Sequence, residues 1–164
     1  MITQILNEKQ ITQKLDRIAY QIAEDSFEES KLFIIGIKGN GYKIAEAIAR
    51  RLKTINKQEV ILAELEIDKK NPLNKNISIT IPTSDLDKHM VILVDDVLNS
   101  GRTMQYALTK ILEQPVKSIK TVALVDRKHR DYPIRCDFVG LTLSTTLQER
   151  VEVEISKESR AYLV

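Results

Sequence analysis

At 164 residues, 43% of them hydrophobic and 29% charged, the chain has the length for one folded domain and the composition of a globular protein, which excludes a disordered or fibrous one. Twenty-five lysines and arginines against 23 acids leave a net charge of +2, too little for a general polyanion-binding field, and 5% aromatic residues without tryptophan argue against base stacking as the main device. The single cysteine, Cys136, excludes an intrachain disulfide or cysteine-based metal cluster and is expected to be a small buried apolar residue.

In chain order, MITQILNEKQITQKL has neither the basic start nor the apolar stretch of a signal peptide, and runs such as Leu32 to Ile35 are too short to span a membrane. A cytoplasmic protein that makes no membrane contact is expected. Asn7 caps a first helix, with Gln10 placed as in a capping box, and Ile11, Leu15, Ile18, Ala19, Ile22 and Ala23 recur at helical spacing. Tyr20 and the Ile/Leu stripe read as core or interface. Lys31 to Ile37 reads as a buried strand leading into the glycine pair Gly39 and Gly41, followed by a helix from about Tyr42 to Leu52. Glu59 to Ile67 is the next strand, 68–76 a turn-rich excursion, and Ile77, Ile79 and Ile81 alternate as a strand closed by Pro82. Val91 to Val94 is apolar without alternation, as in a central strand covered on both faces, and a helix from Thr103 to Leu112 follows. Ser118 to Val125 and Phe138 to Leu143 are further strands, joined by the charged segment DRKHRDYPIR. The alternation predicts one α/β domain over residues 1–164, with an open, mainly parallel sheet and helices on both faces.

The chemistry concentrates in VILVDDVLNSGRT. In an open parallel sheet, ligands sit beyond the carboxyl ends of the strands, where this segment places Asp95 and Asp96. Behind them Asn99, Ser100, Gly101, Arg102 and Thr103 supply small side chains, hydroxyls and a glycine just before a helix, so backbone N–H groups can converge on a phosphate at the positive helix end. Carboxylates repel a phosphate. They make sense only if aimed at hydroxyls, or at a divalent cation held with the ligand, and phosphate plus vicinal hydroxyls means a ribose phosphate. An isolated Asp-Asp would read as two surface acids ending a strand; the junction with Ser-Gly-Arg-Thr favours the functional reading. A Walker A motif is excluded, because Arg102 stands where Gly-Lys is required. Lys38, Gly39, Asn40 and Gly41 form a second loop where backbone can approach a charged ligand, although a tight turn, or a dinucleotide fingerprint with Ile44 at its third glycine position, are the rival readings. His129 has the chemistry of a general base or an RNA contact, but a lone His in a charged loop reads more simply as solvated, and His89 is no more telling.

The segments GIKGNGYKIA (36–45), VILVDDVLNSGRT (91–103) and ALVDRKHRDYPIRCDFVG (123–140) resemble type I phosphoribosyltransferases, and within them the family of bifunctional pyrimidine-operon regulators and uracil phosphoribosyltransferases. The resemblance covers nearly the whole chain. It implies a small hood above the sheet, and transfer of a ribosyl group from phosphoribosyl pyrophosphate (PRPP) to uracil with Mg²⁺, giving UMP and pyrophosphate. On this pattern Lys38, Asp95 and Asp96 are catalytic, the two acids holding the ribose hydroxyls and, directly or indirectly, the metal. Val97, Leu98, Asn99, Ser100, Gly101, Arg102 and Thr103 take the 5′-phosphate, Lys38 to Gly41 the pyrophosphate, and Val125, Asp126 and Arg127 lie near the base.

The same resemblance implies a homo-oligomer, and an alternative role as a nucleotide-sensing RNA-binding regulator with little turnover. Two departures from the pattern concern cations. Gly39 and Asn40 replace a Thr-Arg pair, and the mobile loop around 68–76 is short, with Lys69, Lys70 and Lys75 where an arginine closes over the donor. The family's RNA surface uses the first helix and the segment matching DRKHRDYPIR. From Glu8 to Glu29 three cations face six anions, a net charge of −3, so RNA binding is expected to be weak.

Overall fold

The computed structural model describes residues 2–146 and 148–164. Thirteen elements follow in chain order: β1 (Thr3–Leu6), α1 (Glu8–Asp25), β2 (Lys31–Ile37), α2 (Asn40–Ile55), β3 (Glu59–Glu66), β4 (Ser78–Ile79), a 3₁₀ turn (Thr83–Leu86), β5 (Met90–Leu98), α3 (Arg102–Ile111), β6 (Ser118–Asp126), β7 (Phe138–Thr142), β8 (Val151–Glu154) and β9 (Arg160–Leu163). Six strands form one sheet in the order β4-β3-β2-β5-β6-β7, parallel except for the antiparallel β3–β4 pair. β1, β9 and β8 form a separate three-stranded antiparallel sheet, the hood.

Burial on both faces explains the unbroken apolar runs of the central strands. Leu32 and Ile34 of β2, Ile92 and Val94 of β5, and Val122 and Leu124 of β6 pack under α1 and α2. Their neighbours Phe33 and Ile35, Val91 and Leu93, and Ala123 point the other way, onto Met104, Ala107 and Ile111 of α3. The Asn7 capping box forms as expected, with Gln10 N–H on Asn7 Oδ1 at 2.8 Å and Asn7 N–H on Gln10 Oε1 at 2.9 Å. Arg17 anchors α1 to β7 by donating to the carbonyls of Val139 and Gly140.

Several expectations are corrected. The stripe of α1 is core, whereas Tyr20 is 63% exposed because it projects from the opposite edge of the helix, so of its two readings the core one falls and the interface one stands untested. The expected strand over Ile77 to Ile81 shrinks to Ser78–Ile79. β5 runs four residues beyond Val94, since backbone pairing with β6 continues through both aspartates to Leu98. Cys136 is only partly buried, though burial, with the nearby Asp126 carboxylate adding, pushes its thiol up to about 12. His129 is half-buried, not solvated, with Nε2 2.6 Å from the Thr145 carbonyl. None of the helices among the described residues is long and apolar enough to cross a membrane.

Candidate functional site

β2 and β5 are neighbours, yet the chain leaves β2 through α2 toward β3 on one side and leaves β5 through α3 toward β6 on the other. This is a topological switch point, where the loops diverge and open a crevice at the carboxyl ends of the strands. Asp95 and Asp96 on β5 and Gly39 to Gly41 at the start of α2 stand at that crevice. The cleft has a volume of about 270 Å³ and is lined by Asp95 and Asp96, the whole of 97–103, Met104, and Lys69 from the loop after β3.

The two acids are held differently. Asp95 is 4% exposed; its Oδ1 accepts the Asp96 N–H at 2.9 Å and meets Lys69 Nζ at 3.4 Å. Burial pushes its carboxyl up to about 7, with Lys69 opposing the shift and the Asp96 charge adding to it. Asp96 is half-exposed, accepts the Val97 N–H at 2.8 Å, and has Asn40 Nδ2 3.4 Å from its Oδ2. Asn40 Nδ2 also donates to the carbonyl of Val153 on β8 at 2.6 Å, so this amide joins the floor of the cleft to the hood. Gly41 is glycine for a steric reason, since a Cβ there would stand 2.9 Å from the Val94 carbonyl and 3.1 Å from Asp95 Oδ1.

The phosphate-type loop is braced from behind. The Ser100 carbonyl accepts from the N–H groups of Asp131 and Tyr132 at 3.0 and 3.1 Å, and Arg130 reaches the Asn99 carbonyl at 3.4 Å. The Arg102 N–H donates to Ser100 Oγ at 3.2 Å, which leaves the N–H groups of Thr103 and Met104, without intrahelical partners in the first turn of α3, for a ligand. Gly101 caps α3 at φ +87, and a Cβ on it would stand 2.1 Å from Ile134 Cγ2. Only glycine meets both conditions.

A sequence profile of the phosphoribosyl transferase domain matches residues 1–156. The chain belongs to the type I phosphoribosyltransferase family. It is 35% identical over 165 residues to the bifunctional protein PyrR of Bacillus cereus (strain AH820), covering 93% of this chain and 90% of that one. PyrR of Bacillus anthracis (strain CDC 684 / NRRL 3495) matches with the same identity and coverage. Among solved structures, a hypoxanthine-guanine phosphoribosyltransferase of Bacillus anthracis superposes with a TM-score of 0.72 at 22% identity, over 87% of this chain and 82% of that one. The hypoxanthine phosphoribosyltransferase of Trypanosoma cruzi superposes with a TM-score of 0.74 at 19% identity, over 86% and 81%. These two show the phosphoribosyltransferase fold.

Within that fold the expected site residues fall into four groups, the first being Gly39, Asn40 and Gly41, which lie outside the lining of the cleft while Asn40 and Gly41 border Asp96 and Asp95. Asp95, Asp96, Val97, Asn99, Ser100, Gly101, Arg102 and Thr103 come together around one cleft; Leu98 lines it too, but at 3% exposure its side chain belongs to the core. Lys38 stands outside the lining of that cleft, with its ammonium 3.4 Å from Glu66 on exposed surface. Val125 and Asp126 end β6 and Arg127 follows it, but Asp126 is taken by Arg130 at 2.7 Å, and Arg127 by Asn99, Thr145, Thr146 and Glu149. Sequence reasoning missed Arg130 and Ile134 as the brace of the loop, and Val153 as the hood's contact. The first two sit in the DRKHRDYPIR segment, which the resemblance marked without giving a mechanical reason. Nothing in VEVE marks Val153.

Proposed function

We propose that the protein transfers the 5-phosphoribosyl group of PRPP to a pyrimidine base, uracil, giving UMP and pyrophosphate. The observation that carries this reading is the pairing, in one cleft, of an acid pair with a glycine-hinged loop that leads into the N-terminus of α3, where a phosphate is favoured. Asp95 and Asp96 accept hydrogen bonds from the ribose hydroxyls, 97–103 take the 5′-phosphate, Lys38 to Gly41 take the pyrophosphate, and Val125 and Asp126 flank the base. The relatives named bifunctional protein PyrR support the pyrimidine assignment.

The reaction passes through a carbocation-like sugar, so the protein's task is to position donor and acceptor and to stabilise the leaving charge. Lys69 is the one mobile-loop cation that lines the cleft, and we assign it to close over the donor, replacing an arginine fork by a less directional charge. The donor set suits Mg²⁺. Two adjacent carboxylates supply hard oxygen donors, while the described residues include no group of three ligating side chains that could hold the ion without the substrate. When bound with PRPP, the ion would supply charge neutralisation on the pyrophosphate and ribose oxygens.

The alternative, nucleotide-dependent RNA binding without turnover, is ranked second on a structural ground. Of the three cations of α1, Arg17 has its guanidinium tied to the Val139 and Gly140 carbonyls of β7, which leaves it less free to follow a phosphate backbone. The protein is proposed to be cytoplasmic and to form a homo-oligomer like its family. A turnover assay with Mg²⁺, PRPP and each free base tests the reading. Pyrophosphate release with uracil, and much less with hypoxanthine, is expected; release with purines alone, or with no base, would refute it.

A further inference from the structure

Arg127 is 8% exposed, and its guanidinium donates to Asn99 Oδ1 at 2.8 Å, Thr145 Oγ1 at 3.0 Å, the Thr146 carbonyl at 3.2 Å and the Glu149 carbonyl. All four acceptors are neutral. No carboxylate stands within salt-bridge distance of it among the described residues. Neutral acceptors satisfy the N–H groups but leave the charge uncancelled, and a buried charge ordinarily has a counter-ion, as Asp126 beside it has in Arg130. The position is specific as well. The Arg127 N–H donates to the Leu98 carbonyl at 3.0 Å, and the Asn99 that its side chain grips is the residue at the head of the phosphate loop, lining the cleft.

We propose that Arg127 is a positioning residue for the ligand phosphate, a buried and uncompensated positive charge that fixes Asn99 and has the phosphate in the neighbouring cleft as its counter-ion. The inference rests on the ribose-phosphate reading of the cleft, and it moves Arg127 from the base to the phosphate. Arg102, half-exposed at the start of α3, is screened by water; Arg127 is not, so its field reaches the cleft at low effective dielectric. With Oδ1 of Asn99 occupied by Arg127, its Nδ2 donors are the part left for a ligand. The same fork holds Thr145, Thr146 and Glu149, which stand before β8, so the residue also joins the phosphate loop to the hood.

Affinities for ribose 5-phosphate and for ribose, measured by NMR titration on the wild type, Arg127→Gln and Arg127→Lys, test this. The wild type prefers the phosphate; the glutamine variant lowers ribose 5-phosphate affinity about tenfold, on the scale of one unit charge within ~10 Å at an effective dielectric constant of ~20, and leaves ribose alone. The lysine variant keeps most of the preference even if it melts earlier, because it retains the charge and loses the fork. Full preference in the glutamine variant, or equal loss in both, overturns the proposal while leaving the ribose-phosphate reading intact. A wild type that binds both sugars equally fails at the earlier step. Should Arg127→Gln not fold, the Arg127 Nε–H resonance of the wild type decides: it shifts on adding ribose 5-phosphate and not ribose, and an unmoved resonance overturns the proposal.

Discussion

A carboxyl raised to about 7 means that the folded chain binds a proton at Asp95 more tightly than the unfolded chain, where an aspartate titrates near ~3.9. Stability from that proton is complete below the unfolded value and is lost as pH rises through the folded one. Asp95→Asn, which cannot ionise, should therefore gain on the wild type between pH ~4 and ~7, by up to about 4 kcal/mol, and run parallel to it above that window. Urea denaturation of both proteins at several pH values checks this; parallel curves throughout would place Asp95 in a far wetter site. The same shift has a functional side. A neutral Asp95 accepts ribose hydroxyls less well, so the stability given up on ionisation prepares the site for its ligand.

At the scale of elements, the phosphate loop stands against the segment after β6, and a Cβ added at Gly101 would run into the Ile134 side chain. Gly101→Ala should cost roughly 2–4 kcal/mol, part from a left-handed backbone and part from the clash with Ile134. Adding Ile134→Ala should recover the steric part, so a double-mutant cycle in thermal or urea unfolding should show coupling of more than about 1 kcal/mol. Purely additive effects would mean that the two residues do not touch. This element explains what sequence could show. VILVDDVLNSGRT announces itself because strand, acids, small residues and helix lie within thirteen positions, and each step has a local physical reason. The brace has no local reason. Arg130, Tyr132 and Ile134 matter because β6 runs beside β5, and spacing along the chain carries no trace of that distance in space. β5 itself reads as ending at Val94 because aspartates are poor strand formers; backbone pairing with β6 overrides that preference.

For the whole molecule, the layered core is legible in the residues themselves, whereas the hood is implied only by the resemblance and its strands are not legible. The central strands are buried on both faces and read as apolar runs, whereas β1, β8 and β9 are four residues each, and TQIL, VEVE and RAYL are too short to separate from loop. Their pairing joins the two ends of the chain, a non-local event that only the fold reveals. The surface carries its own expectation. The guanidinium of Arg17 is tied to carbonyls of β7, and Lys9 and Lys14 are the other cations of the helix, so α1 offers few cations to a phosphate backbone. Filter binding with pyrimidine-operon leader RNA at low and moderate salt should show weak binding with a shallow salt slope; tight, UMP-stimulated binding with a steep slope would reverse the ranking of the two functions.

The central claim is that Asp95, Asp96 and the 97–103 loop form one phosphoribosyl site, and calorimetric titration of PRPP with Mg²⁺ into the wild type and Asp96→Ala tests it most directly. Asp96 is half-exposed, so its removal should leave the melting temperature nearly unchanged, while the loss of a charge-assisted hydrogen bond of about 1.5–3 kcal/mol weakens PRPP binding by tenfold or more. PRPP binding of equal strength in both proteins, or no binding to the wild type, would contradict the account.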